Sequence, residues 1–94
     1  MLKTLEDLIN IIRDRKSSSD DSSYTSKLLK NRSLSVEKVK EEIAELIEAV
    51  ENNSNKVHEA ADVLYHLLVY LEGNSVRIED IMDELEKRKK KKES

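Results

Sequence analysis

Two short acidic words are the part of this sequence best suited to chemistry. Glu42 and Glu45 stand three residues apart in KVKEEIAELIEA, and Glu59 and Asp62 stand three apart in VHEAADVLYHLLVYL. On a helix turning roughly 100° per residue, that spacing puts both members of a pair on one side. The second pair lies in a run that is otherwise largely apolar, where a carboxylate is costly unless a cation or hydrogen-bond donors compensate it. Glu42 and Glu45 fall beside the apolar stripe of their helix, with Ala49 on the same side leaving room for close approach. His66 continues the stripe of Glu59 and Asp62 at i+4. Two antiparallel helices joined by NNSN bring four carboxylates face to face, and four such groups cannot all stay ionised without compensation. Hard oxygen ligands of this kind suit Mg²⁺ or Mn²⁺, which keep waters and bind substrate phosphates. Glu42, Glu45, Glu59 and Asp62 are therefore the candidate metal ligands.

Glu-rich helices are more often solvated faces, and Glu41 and Glu48 point further round, toward solvent or a supporting position. The acids at 59 and 62 tip the balance, because their helix has few polar positions to spare. A di-iron bundle also uses helical carboxylates, but with Glu-x-x-His pairs. Neither His58 nor His66 stands in that relation to a glutamate, so iron is not expected; His66 reads as a core or supporting histidine, with direct ligation of the ion as the lesser alternative.

The elements that must carry these groups are helices. Leu5, Leu8, Ile9 and Ile12 give a helix over 2–16, and SSSDDSS then forms a polar loop. YTSKLLK reads as a short helix or turn over 24–30. A break is expected at 33–35, with Ser35 as N-cap. The next helix, 36–51, has the stripe Val36, Val39, Ile43, Leu46, Ile47 and Val50. The apolar helix 56–72 is stopped by Gly73 as its C′ residue. A last helix runs from Ile78 into the lysines, with Ile78, Ile81, Met82 and Leu85 as its buried face and KRKKKK as a solvated end complementing the helix dipole.

With 94 residues, no Pro, one Gly, no Phe, no Trp and no Cys, the chain is expected to be one all-α domain, a bundle of four to five helices. One such layer cannot bury all its apolar stripes, so a homodimer or higher homo-oligomer should complete it. Without Cys there is neither disulfide nor thiol chemistry. The net charge of −3 gives no pull toward nucleic acid or membranes, and the lysine tail lacks the aromatic partners that nucleic-acid binding needs. MLKTLEDLINII carries acids where a secretory leader is purely apolar. VLYHLLVYL is about half the ~20 residues of a bilayer span. A cytoplasmic protein is expected.

Glu42-x-x-Glu45 with Glu59-x-x-Asp62 resembles the E-x-x-E…E-x-x-D signature of the all-α nucleoside-triphosphate pyrophosphatases. Within that superfamily, IIRDRK, SSYTSKLL, KVKEEIAELIEA, EAADVLYHLLVYL and DIMDELEKR are similar, in this order and over almost the whole chain, to phosphoribosyl-ATP pyrophosphatases. SYTSKLL and EAADVLYHLL are the specific words. Two departures stand out: Lys40 occupies the position where that family usually has Gly before its paired glutamates, and the Gly usual after KLL is missing. The resemblance implies Mg²⁺-dependent hydrolysis of phosphoribosyl-ATP to phosphoribosyl-AMP and pyrophosphate, the second step of histidine biosynthesis, in a homodimer packed through its helices.

Such a reaction needs a base and fixed cations. Glu41, Glu42 and Glu45 are the catalytic candidates, the base being Glu41 or one of the four ligands. Arg15 and Lys16 end the first helix, Lys27 lies in SYTSKLL, and Lys38 precedes the glutamates by one turn; with Tyr24 and Thr25 these are the substrate-binding candidates. Ser23 supplies a further hydroxyl or caps the short helix. Two other readings compete: a house-cleaning enzyme of the same superfamily acting on dUTP-like nucleotides, and a non-catalytic helical oligomerisation module. The second would require Glu59 and Asp62 to be freely replaceable.

Overall fold

A cluster of buried aliphatic side chains, Ile9, Ile12, Leu28, Leu68 and Val69, is the centre on which the chain is built. The computed structural model describes residues 2–93, all of whose regular elements are helices: α1 Lys3–Ser17, α2 Tyr24–Lys30, α3 Arg32–Asn52, α4 Lys56–Gly73 and α5 Ile78–Glu93. The core draws on α1, α2 and α4, and Leu5, Leu8, Leu29, Leu34, Tyr65 and Ile78 pack around it. The most extensive helix contact is between α3 and α4, which form a hairpin.

Local chemistry sets the helix ends. Ser23 Oγ accepts from Ser26 N at 3.0 Å to start α2. The α3 start differs from the expectation for Ser35: Asn31 is the cap, its Oδ1 accepting from Leu34 N at 3.1 Å, so α3 begins a turn earlier and Ser35 is buried within it. Asn side chains compete well for orphan N–H groups, and Asn31 reaches them first. The hairpin turn is a Schellman motif: Asn53 is left-handed (φ 55°), Asn53 N donates to Val50 O and Ser54 N to Ala49 O. Asn55, also left-handed, leads into α4.

Gly73 is not the left-handed residue expected of it. It remains in α4, and Ser75 (φ 61°) takes that conformation, with Ser75 N donating to Glu72 O and Val76 N to Leu71 O. A Cβ at position 73 would stand 3.3 Å from Leu29 Cδ2, a tight contact that the leucine side chain would have to yield to.

The expected buried face of α5 is also corrected. Ile78 and Ile81 are half-buried, but Met82 and Leu85 are each 49% exposed, because α5 has little contact with the other helices. Lys87–Lys91 are exposed as expected, and the side chain of Lys92 lies outside the described residues. The radius of gyration, 15.0 Å, exceeds the roughly 12 Å of a compact chain this long. On α3, Ile43, Ile47 and Val50 are exposed, as are Val57 and Leu64 on α4.

One ion-pair cluster ties three helices. Arg13, one turn beyond Ile9, grips the buried Glu72 of α4 through Nε–Oε1 (2.9 Å) and Nη2–Oε2 (3.0 Å), and Glu79 of α5 through Nη2–Oε1 (2.6 Å) and Nη1–Oε2 (3.0 Å). Arg13→Ala leaves the Glu72 carboxylate buried and unpaired, and should cost about 2 kcal/mol or more in chemical denaturation. Arg13 holds the Glu79 carboxyl down at about 2, from an ordinary value of 4.5. A depressed acid stabilises the fold above its unfolded value, and that contribution is lost as pH falls toward the folded value. The denaturation midpoint should therefore drop between pH 4.5 and 2, and less steeply in Glu79→Gln.

Candidate active site

The α3–α4 hairpin brings the two acidic pairs together. Ligand oxygens of Glu42, Glu45 and Glu59 lie within 4.8 Å of one another, and so do ligand atoms of His58, Glu59 and Asp62. Glu59 belongs to both groups and links them into one patch. Glu42 is only 8% exposed. Burial, and then the charges of Glu45 and Asp62, push its carboxyl above the usual range; burial and Glu45 do the same for Glu59. Glu42 Oε2 and Glu59 Oε2 are buried without a hydrogen-bond partner in the protein. Orphaned acceptors of this kind are costly, and a hard divalent cation with its waters would satisfy them. The donor set fits such an ion.

His58 is a residue that the acidic spacing alone did not bring forward. Its Nε2 stands 3.4 Å from Asp62 Oδ2, and the signal for it was the i, i+4 relation on α4. His66 is buried and fully engaged: Nδ1 is 2.8 Å from Asp62 O and Nε2 is 3.0 Å from Tyr24 Oη. Neither ring nitrogen is left for a cation. Beside this contact Thr25 Oγ1 meets Tyr65 Oη at 2.5 Å, so Tyr24 and Thr25 both anchor the start of α2 to α4.

Among the cationic candidates, Lys38 is nearest the patch. Its Nζ is 3.5 Å from Glu41 Oε2, and the charge of Glu41, then Tyr24, holds its ammonium above the ordinary range. Lys38 in turn acts on the Tyr24 phenol, which burial pushes up. Glu41 is exposed on α3, and Lys27 is exposed on α2. Lys16 is not brought to the carboxylates, and Arg15 is exposed in the last turn of α1. Lys16 Nζ caps α4 by donating to Glu72 O at 2.6 Å, thirteen residues and about 20 Å along the helix from Glu59. Arg13, the guanidinium that holds the buried Glu72, extends the Ile9 stripe by one turn, and that position was its signal.

A glutamate whose folded value is raised favours folding at low pH and is penalised as pH climbs through that raised value. Without divalent cations, stability should therefore decline as pH rises through and above the ordinary glutamate range toward neutral. Glu42→Gln should flatten that slope and raise the neutral-pH melting temperature by a few degrees; Mg²⁺ should stabilise the wild type and barely affect the variant. Thermal denaturation across pH, with chelator and with Mg²⁺, measures all three.

Comparison with known proteins identifies the family. A family model for phosphoribosyl-ATP pyrophosphohydrolase matches residues 5–89. A phosphoribosyl-ATP pyrophosphatase of Clostridium novyi is 39% identical over 93 residues, covering 96% of this chain and 84% of that protein. One from Methylobacterium nodulans is 46% identical over 88 residues, covering 90% and 82%. A histidine biosynthesis bifunctional protein of Pyrococcus furiosus is 41% identical over 90 residues, covering 95% of this chain and 43% of its own length. No solved structure gives a significant match. The chain belongs to the phosphoribosyl-ATP pyrophosphohydrolase family.

Proposed function

We propose that the carboxylate patch of the α3–α4 hairpin is the Mg²⁺ site of an enzyme that hydrolyses phosphoribosyl-ATP to phosphoribosyl-AMP and pyrophosphate in histidine biosynthesis. Membership of the family and the names of its relatives support the reaction. The observation that carries the metal is the pair of orphaned buried oxygens on Glu42 and Glu59. Glu42, Glu45, Glu59 and Asp62 would hold the ion, with Mn²⁺ a chemically equivalent occupant. Bound there, Mg²⁺ supplies charge neutralisation for the triphosphate and lowers the pKa of water at the α–β bridge.

The chain's own groups do the rest. Lys38, kept cationic by Glu41, faces the Tyr24 side of the patch and offers a fixed charge to phosphate oxygens. Lys27 is exposed on α2 and free to turn toward the same substrate. Glu41, Glu42 and Glu45 are the acids placed to accept the proton of the attacking water, Glu41 from the rim and the others from within. Lys16, held at the far end of α4, and its neighbour in sequence Arg15 would bind substrate through its distal phosphoribosyl end.

The exposed Ile43, Ile47, Val50, Val57 and Leu64 support a homodimer that covers α3 and α4, in a cytoplasmic setting where nucleotide substrates are found. Within the described residues no helix is long and apolar enough to cross a membrane.

Glu45→Ala and Asp62→Ala should each lower pyrophosphate release from phosphoribosyl-ATP about a hundredfold or more, without loss of helix content. The wild type should prefer phosphoribosyl-ATP to dUTP and simple nucleoside triphosphates, and sediment as a dimer. Wild-type turnover in both variants contradicts the metal assignment, preference for dUTP contradicts the substrate, and a monomer contradicts the dimer.

A further inference from the structure

The buried histidine of α4 has a pair of contacts that fixes more than its own position. His66 Nδ1 lies 2.8 Å from the Asp62 carbonyl oxygen, and a carbonyl only accepts, so Nδ1 carries a hydrogen. In the neutral ring the lone pair is then on Nε2, which accepts from the Tyr24 hydroxyl at 3.0 Å. The ring is held edge-on to Tyr65 (4.9 Å between centroids, 84°) and to Tyr24 (5.8 Å, 77°). His66 is 7% exposed, whereas Tyr24 is 45% exposed and opens on the side of Lys38, Glu41 and Glu42.

With the ring neutral, the single hydrogen of the phenol is committed inward. What Tyr24 presents on the side of Lys38, Glu41 and Glu42 is an oxygen with acceptor capacity only, on a ring that cannot swing without breaking the His66 contact. Such an oxygen suits a ribose hydroxyl or an amino group, and it repels a phosphate oxygen, which has nothing to donate.

We propose that His66 is a positioning residue for the nucleotide: through the Asp62 carbonyl and the Tyr24 hydroxyl it fixes Tyr24 as an acceptor for an O–H or N–H donor of the substrate, beside the carboxylate patch. This rests on the hydrolase reading of the site. It assigns a directional role to a side chain otherwise read as core, and it moves Tyr24 away from the phosphates, which fall to Lys38 and the cation.

Tyr24→Phe and His66→Phe, alone and combined, test the coupling. Each single change should lower kcat/KM for phosphoribosyl-ATP about tenfold, the effect of one directed hydrogen bond, and the double variant should be no worse than either. Multiplying losses, or wild-type kcat/KM in Tyr24→Phe, would overturn the proposal. Long-range ¹H–¹⁵N spectra of the metal-free wild type at mildly alkaline pH give a second reading that needs neither turnover nor a folded His66 variant. They should show hydrogen on Nδ1 and a bare Nε2, and Tyr24→Phe should shift Nε2 while leaving Nδ1 in place. Hydrogen on Nε2 overturns the proposal whatever the activity. A wild type inactive on phosphoribosyl-ATP would instead sink the functional reading, with the spectra still deciding the role of His66.

Discussion

Mutual repulsion among carboxylates held against one another at the α3–α4 interface is the constraint on which this structure turns. Glu42, Glu45 and Glu59 are close enough to resist simultaneous ionisation, and Asp62 adds its charge from the same helix face. A chain selected for stability alone would not bury two orphaned oxygens there. A cation reverses the sign of the problem, since the same proximity that repels without it becomes a coordination shell with it.

The remaining architecture keeps that face rigid and accessible. The Schellman turn at Asn53 sets the hairpin that opposes the two acidic pairs. The aliphatic core lies on α1, α2 and α4, so the acid-bearing side of α4 is braced from behind. Paired contacts from Tyr24 and Thr25 fasten the start of α2 to α4 one turn from Asp62, while Arg13 fastens the far end through Glu72 and Glu79. One end of α4 thus carries the acidic patch and the other structural ion pairing. Apolar residues remain exposed on α3, α4 and α5.

Much of this was legible in the residues, and for physical reasons. Three-residue spacing of acids survives any detail of helix geometry, so the patch followed from periodicity, as did five helices from a chain without Pro and with a single Gly. Helix ends were less legible, because competing caps sit within a few residues. Asn31 outcompeted Ser35, and Ser75 took the left-handed conformation that Gly73 suggested. Gly73 instead lies against Leu29, a contact between elements far apart in sequence that no local pattern contains. The same holds for Arg13 with Glu72 and Glu79, and for Tyr24 with His66. Such pairings depend on how α1, α2 and α5 are laid across α4, which is a tertiary fact.

Calorimetric titration of the chelator-stripped wild-type protein with Mg²⁺ tests the central claim most directly. Saturable binding with proton release, as raised carboxyls give up their protons to the ion, is the result predicted here. Saturable binding should disappear in Glu42→Gln. Featureless heats of dilution in the wild type, or the same isotherm in both proteins, would contradict the account of α3 and α4 as the walls of a cation site.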